Sequence, residues 1–145
     1  MSLDGDYDED NIFAKIIRDE IPAAKVFEDA HVLAFMDVFP QSRGHTLVIA
    51  KTAKARNLLD AEPEVLSRVI LDVQRVAKAI RAALKPDGIV ITQFNGAAAG
   101  QTIFHLHFHL IPRYTDTPLL PHGEGGMADA AELAAIAQLI AAEIA

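Results

Sequence analysis

Cysteine and tryptophan are both missing from the 145 residues, and aromatics of every kind make up only 6%. Without thiols the chain has no disulfide, no cysteine nucleophile and no thiolate metal site. Without indole, stacking against a ring-shaped ligand falls to Phe and Tyr. Basic residues are also outnumbered: 13 Lys and Arg against 20 Asp and Glu give a formal net charge of -7. That balance argues against a nucleic-acid backbone binder, which needs a basic footprint. A local site for a small phosphorylated ligand stays open. No apolar run approaches the length of a membrane span. The first ten residues, Met1 to Asp10, are acidic and lack the basic and apolar regions of a targeting peptide. They read as a flexible tail, and the cytoplasm is the expected compartment.

What is present suits a single domain with a real core: 51% of the residues are hydrophobic and the length matches one folding unit. That domain is expected over residues 11–145. Asn11 can cap a short helix from Ile12 to about Arg18. Val26 to Glu28 and His31 to Met36 read as strands around a turn at Asp29-Ala30. After a loop punctuated by Pro40 and Gly44, His45 to Ala50 is a third strand. Pro63 suits the first turn of a long helix reaching Leu84. Its buried face is expected to hold Val65, Leu66, Val69, Ile70, Val73, Val76, Ala77 and Ile80, with Arg68, Asp72, Arg75 and Lys78 toward solvent. Ile89 to Phe94 is a fourth strand, Asn95 to Gly100 a glycine-rich turn, and Thr102 to Ile111 a fifth strand ended by Pro112. Residues 113–127 read as loop and 128–144 as a C-terminal helix. The simplest assembly is α+β, an antiparallel sheet with helices against it.

Three of the six histidines stand at alternate positions in His105-Leu106-His107-Phe108-His109. On a strand that spacing sends all three rings to one face, with Leu106, Phe108 and Leu110 to the other. Imidazole suits metal binding, proton transfer and nucleophilic attack near neutral pH. Metal binding is awkward, because same-face neighbours on one straight strand lie too far apart for three rings to converge on a zinc ion. A row of merely structural histidines at a sheet rim is the plainest alternative. Catalysis on a phosphorylated substrate fits the flanks best. Gly96 and Gly100 permit close backbone approach, and the turn between them can offer N–H groups to an anion. Gln101 and Thr102 add neutral donors, and His45 can join the cluster from a neighbouring strand.

These residues resemble the histidine triad family: histidine, apolar, histidine, apolar, histidine, then Leu110-Ile111. Ala99-Gly100-Gln101-Thr102, Pro112-Arg113, Ile12 to Ile17, Glu20 to Ala23, Ala34 to Asp37 and Gly44 to Ile49 extend the likeness over most of Asn11 to Arg113. The resemblance implies a mostly antiparallel five-stranded sheet per subunit with a short N-terminal, a long central and a C-terminal helix. It also implies a homodimer paired through the long helix and the strand at Ile89 to Phe94. His107 is then the nucleophile on the α-phosphorus of a purine nucleotide, with His109 at the phosphate or leaving atom and His105 and His45 orienting. Asp37 binds the ribose. Ile12, Phe13, Ile16, Phe35 and Val38 line the base cleft, and Gln101 and Thr102 meet phosphate or leaving group. The site implied is independent of metal and cofactor.

The chain departs from the family at two places. A structural zinc of many members begins at a Cys-x-x-Cys, where this chain has Asn11 and Ala14, so no such zinc is expected. Phe94 stands where the family tends to have an amide, leaving Asn95 as a one-residue-late substitute. The activity implied is hydrolysis of nucleoside phosphoramidates. A dinucleoside polyphosphate hydrolase and a purine-nucleotide-binding or protein-interaction module are the alternatives.

Overall fold

In a computed structural model, residues 3–120 and 126–145 are described. The elements run α1 (Ile12–Ile17), β1 (Lys25–Glu28), β2 (Val32–Met36), β3 (Thr46–Ala50), α2 (Pro63–Leu84), β4 (Gly88–Thr92), β5 (His107–Arg113) and α3 (Ala130–Ala141). Single 3-10 turns at Leu58–Asp60 and Ala97–Ala99 interrupt the longer connections. The sheet has five strands in the order β1-β2-β3-β5-β4, and every pairing is antiparallel. The α+β architecture expected from the sequence is therefore present, with its three helices. Among the described residues no helix is long and apolar enough to cross a membrane.

The central strands bury both faces, and alternation sorts their side chains. Val32, Ala34, Met36, Val48 and Ala50 join Leu106, Phe108 and Leu110 against α2 and α3. Leu33, Phe35, Leu47 and Ile49 leave the opposite face, where α1 contributes Phe13 and Ile16. Asn11 does cap α1: its side-chain oxygen accepts from the Ala14 amide at 2.9 Å. A six-residue helix and the loop residues Ile21, Ala23 and Ile103 cover this second face, with a cleft among them.

Several boundaries differ from expectation for visible reasons. The histidine strand begins at His107 rather than Thr102, and it continues through Pro112. Pairing with β3 ends at Leu110 opposite Thr46, so Pro112 has only β4 beside it, across from Ile89. Its missing N–H therefore breaks no ladder on the second side. His105 lies before the strand, so the three rings do not share one strand face. On α2, Asp72 is buried and Ile70 is half exposed, the reverse of the expected faces. Asp72 turns inward toward Asp29 in the β1–β2 turn, whose carboxylate accepts the amides of His31 and Val32 at 2.8 Å each. Ile70 instead flanks Ile89 and Ile91 of β4. α3 is shorter than 128–144, starting after Asp129, which accepts from the Glu132 amide. Within 113–127, Arg113 closes β5 and Tyr114 bridges to Thr117. His122 lies outside the described residues.

The acidic N-terminal segment is held in place. The Leu3 carbonyl accepts from Asn57 at 3.1 Å and the Asp6 carbonyl from Arg56 at 3.1 Å. Glu9 pairs with Lys54 through its side chain, and its carbonyl accepts from Arg18 at 2.7 Å.

Two stability predictions follow from this packing. Burial, with the bond and charge of Asp29, pushes the Asp72 carboxyl up to about 6. The folded state thus keeps a proton that the unfolded chain releases. The contribution of this group is complete below the unfolded carboxylate value and is lost as pH rises through about 6. The urea midpoint of the parent relative to Asp72→Asn should fall over that window, a comparison that cancels the opposite contribution of buried His105. Gly44 holds φ +94, and a Cβ there would meet Leu84 at 2.3 Å and Pro112 at 3.2 Å. Gly44→Ala should cost about 1–3 kcal/mol by denaturant titration.

Candidate active site

The β3–β5 pairing builds the site. Leu47 lies opposite His109 and Ile49 opposite His107, so both rings project to the face that α1 covers. Each is nearly buried, at 6% and 7% exposure. Phe13 stands edge-on to His107 with centroids 4.9 Å apart and to Phe35 at 5.5 Å. A cavity of about 140 Å³ opens between these groups. Its walls include the expected Ile12, Phe13, Ile16, Phe35 and Val38, together with Asp37, Thr102, His107 and His109. Leu47, Ile103 and Phe39 also line it and were not anticipated. The alternation of β3 places Leu47 on that face, and this signal was available in the sequence.

Backbone groups fix the tautomers. The Nδ1 of His107 lies 2.6 Å from the carbonyl oxygen of His105. A carbonyl can only accept, so Nδ1 carries the hydrogen and Nε2 of the neutral ring carries the lone pair. The Gln41 amide donates to Nδ1 of His45 at 3.0 Å. His45 therefore bears its hydrogen on Nε2, which lies 3.0 Å from Nδ1 of His109 and 3.4 Å from Asp37. Accepting at Nδ1 leaves His109 with an Nε2–H donor. The cluster thus offers one nucleophilic nitrogen and one proton donor on adjacent same-face positions of β5.

His105 is placed differently from its neighbours. Its Nε2 donates to the Ala50 carbonyl at 2.6 Å, and its Nδ1 meets the Tyr7 hydroxyl at 2.7 Å. Burial is the main cause pushing its pKa down to about 4, with the neighbouring His107 adding to the effect and the Ala50 carbonyl opposing it. The ring stays neutral at neutral pH.

Some expected ligand contacts are occupied within the protein. The Gln101 amide accepts from the Gly96 N–H at 2.8 Å and donates to the carbonyls of Arg56 at 2.7 Å and Ile103 at 3.0 Å. It braces the turn instead of facing a phosphate. The glycine turn spends its own amides too: those of Ala99 and Gln101 go to the Gly96 carbonyl and that of Gly100 to Ala97. An anion cradle from these N–H groups is therefore not formed. Asn95 accepts from the Leu58 amide at 3.0 Å and from Gln93 at 2.9 Å, and it is not part of the cavity wall. Phe94 instead packs on His109, with ring centroids 5.4 Å apart.

Asp37 is 5% exposed and accepts from the Phe39 amide at 2.8 Å. With His45 and His109 it brings three potential ligand atoms within 4.8 Å of one another, a group able to hold a metal ion.

Similarity to known proteins runs through this geometry. The chain is 46% identical over 106 residues to the protein hit of Bacillus subtilis, covering 73% of this chain and 72% of that one. An adenylylsulfatase of Arabidopsis thaliana is 41% identical over 104 residues, 72% of this chain and 52% of the plant protein. A crystal structure of a HIT-like protein from Bartonella henselae superimposes with a TM-score of 0.90 at 50% identity, over 96% of this chain and 99% of that one. The HIT domain pattern itself matches residues 18–116, and the chain belongs to the HIT domain family.

Proposed function

We propose that this protein hydrolyses nucleoside phosphoramidates through a nucleotidyl-histidine intermediate on His107. The observation that carries the reading is the 2.6 Å bond from His107 Nδ1 to the His105 carbonyl, which presents the Nε2 lone pair as the nucleophile. In the first step Nε2 attacks the α-phosphorus, and the phosphorus–nitrogen bond to the leaving amine breaks. The amine takes the proton from His109 Nε2. In the second step water attacks phosphorus and gives its proton to His109 Nε2, the bond to His107 breaks with its electron pair returning to Nε2, and nucleoside monophosphate is released. The apolar wall around Phe13, Ile16 and Phe35 suits a purine, and Asp37 at the rim suits ribose hydroxyls. The adenylylsulfatase relative supports cleavage at an adenylyl phosphorus.

The homodimer expected from the resemblance belongs to the same reading. β4 is an edge strand, and Ile91 on it, with Ile70 and Leu71 on α2, expose 46–66% of their surfaces. Pairing through this face would join the two sheets and cover those side chains.

Steady-state hydrolysis of an adenosine phosphoramidate without added metal tests the activity. Release of AMP is expected, with His107→Ala lowering kcat/KM by about 10⁴-fold or more. Preference for a diadenosine polyphosphate would move the substrate to that class. Binding of AMP without turnover of either would overturn the hydrolase reading. By light scattering the parent should be a dimer, and Ile91→Lys with Leu71→Glu should shift it to monomer.

A further inference from the structure

We infer that Tyr7, in the acidic N-terminal segment, is a positioning residue that locks His105 and through it aims His107. The inference rests on His107 as the nucleophile. It starts from an unusual coverage of His105, which is 1% exposed yet has both ring nitrogens engaged by distant parts of the chain. The Ala50 carbonyl holds the Nε2–H at 2.6 Å. That leaves Nδ1 an acceptor, and the phenol of Tyr7, 98 residues away in sequence, reaches it at 2.7 Å.

The phenol is oriented for donation. Asn11, beside the phenol, is fixed by capping α1 and by donating to the Asp8 carbonyl at 2.8 Å. Burial raises the Tyr7 pKa, with Glu9 adding to the effect and Asn11, Arg18 and Lys54 opposing it. The O–H is therefore retained at working pH. The His105 ring lies 5.6 Å from the Tyr7 ring and 6.1 Å from the Phe13 ring, and His107 is the titratable side chain beside it. The tail is tethered on both sides of Tyr7, by Asn57 and Arg56 before it and by Lys54 and Arg18 after it.

His105 is held through its ring and holds His107 through its backbone. Tyr7 donates to His105, His105 donates to Ala50, and the carbonyl of the same His105 receives Nδ1–H of His107. Removing the hydroxyl leaves a buried lone pair without its donor. The ring can then flip or take a proton at Nδ1, and a charged imidazolium beside His107 would withdraw electron density from the nucleophile. Tyr7 does not line the cleft, so it acts through His105 and not on the substrate.

The test is Tyr7→Phe in the full chain, with Tyr114→Phe as the control for the other phenol. Nitrogen-15 NMR of the imidazoles reports the His105 tautomer with no substrate present. In the parent, His105 should hold the Nε2–H form down to about pH 5, and in Tyr7→Phe it should titrate at higher pH or exchange tautomers. With an adenosine phosphoramidate, kcat should fall about tenfold with KM changed less than about twofold, and the acid limb of the pH profile should move upward. Tyr114→Phe should leave the tautomer and kcat unchanged. An unchanged tautomer in Tyr7→Phe overturns the inference, even if kcat falls, since the tail would then act only structurally. A changed tautomer with unchanged kcat overturns the link to His107. If the parent turns over no phosphoramidate while the tautomer responds to Tyr7→Phe, the functional reading fails and the lock on His105 stands.

Discussion

The pairing of β3 with β5 is the constraint on which the rest depends. It sets Ile49 opposite His107 and Leu47 opposite His109, and so decides which face receives the imidazoles. A slip of one residue would exchange the two sets, driving His107 and His109 into the helix-covered core and Phe108 into the cleft. Burial on both faces makes that slip costly. Val48 and Ala50 are completely buried against the helices, and Ile49 is completely buried against α1. The same strand pairing brings His45, at the entry to β3, within hydrogen-bond reach of His109. Register, hydrophobic burial and the geometry of the histidine site are therefore one decision.

Once the rings are on the right face, backbone atoms choose their tautomers. The His105 carbonyl, the Ala50 carbonyl and the Gln41 amide each engage one imidazole nitrogen. A carbonyl accepts and an amide donates under all ordinary conditions, so the assignment does not depend on the titration of an orienting carboxylate. It yields a lone pair on His107 and a donor on His109. Those roles differ although the two residues occupy equivalent positions on one strand.

Much of this was legible in the sequence because it follows from period and punctuation. Alternation located the core-facing Leu106, Phe108 and Leu110, Asn11 announced the start of α1, and Pro63 that of α2. The apolar cleft residues Phe13, Ile16 and Phe35 were legible only through the family resemblance. What failed was whatever depended on contacts distant in sequence. Asp72 fitted a solvent position by helical phase, but Asp29 draws it inward. Gln101 and Asn95 carry amides suited to phosphate, but the surrounding loops engage them first. Tyr7 looked like part of a charged tail, since nothing local shows that Asn57, Arg56 and Lys54 tether that segment beside His105.

The two faces of the sheet divide stability from chemistry. Toward α2 and α3 the packing is apolar and continuous, with Val76, Ile80, Leu106 and Leu110 fully buried. Toward α1 a six-residue helix and a few loop side chains cover the strands, and the cleft lies among them. Such thin coverage reduces the apolar burial available on that side, so the contribution of the other face must be larger. In return, His107 and His109 sit almost out of water yet next to an opening. On the proposed reaction, charge developing on the phosphoryl oxygens and the leaving atom would be met by the His109 Nε2–H in a low-dielectric pocket, where a donor acts more strongly than in solvent. The proposed chemistry also reconciles a chain of net charge -7 with an anionic substrate. A hydrogen bond from His109 would act at contact distance, whereas the exposed carboxylates of the surface are screened by salt.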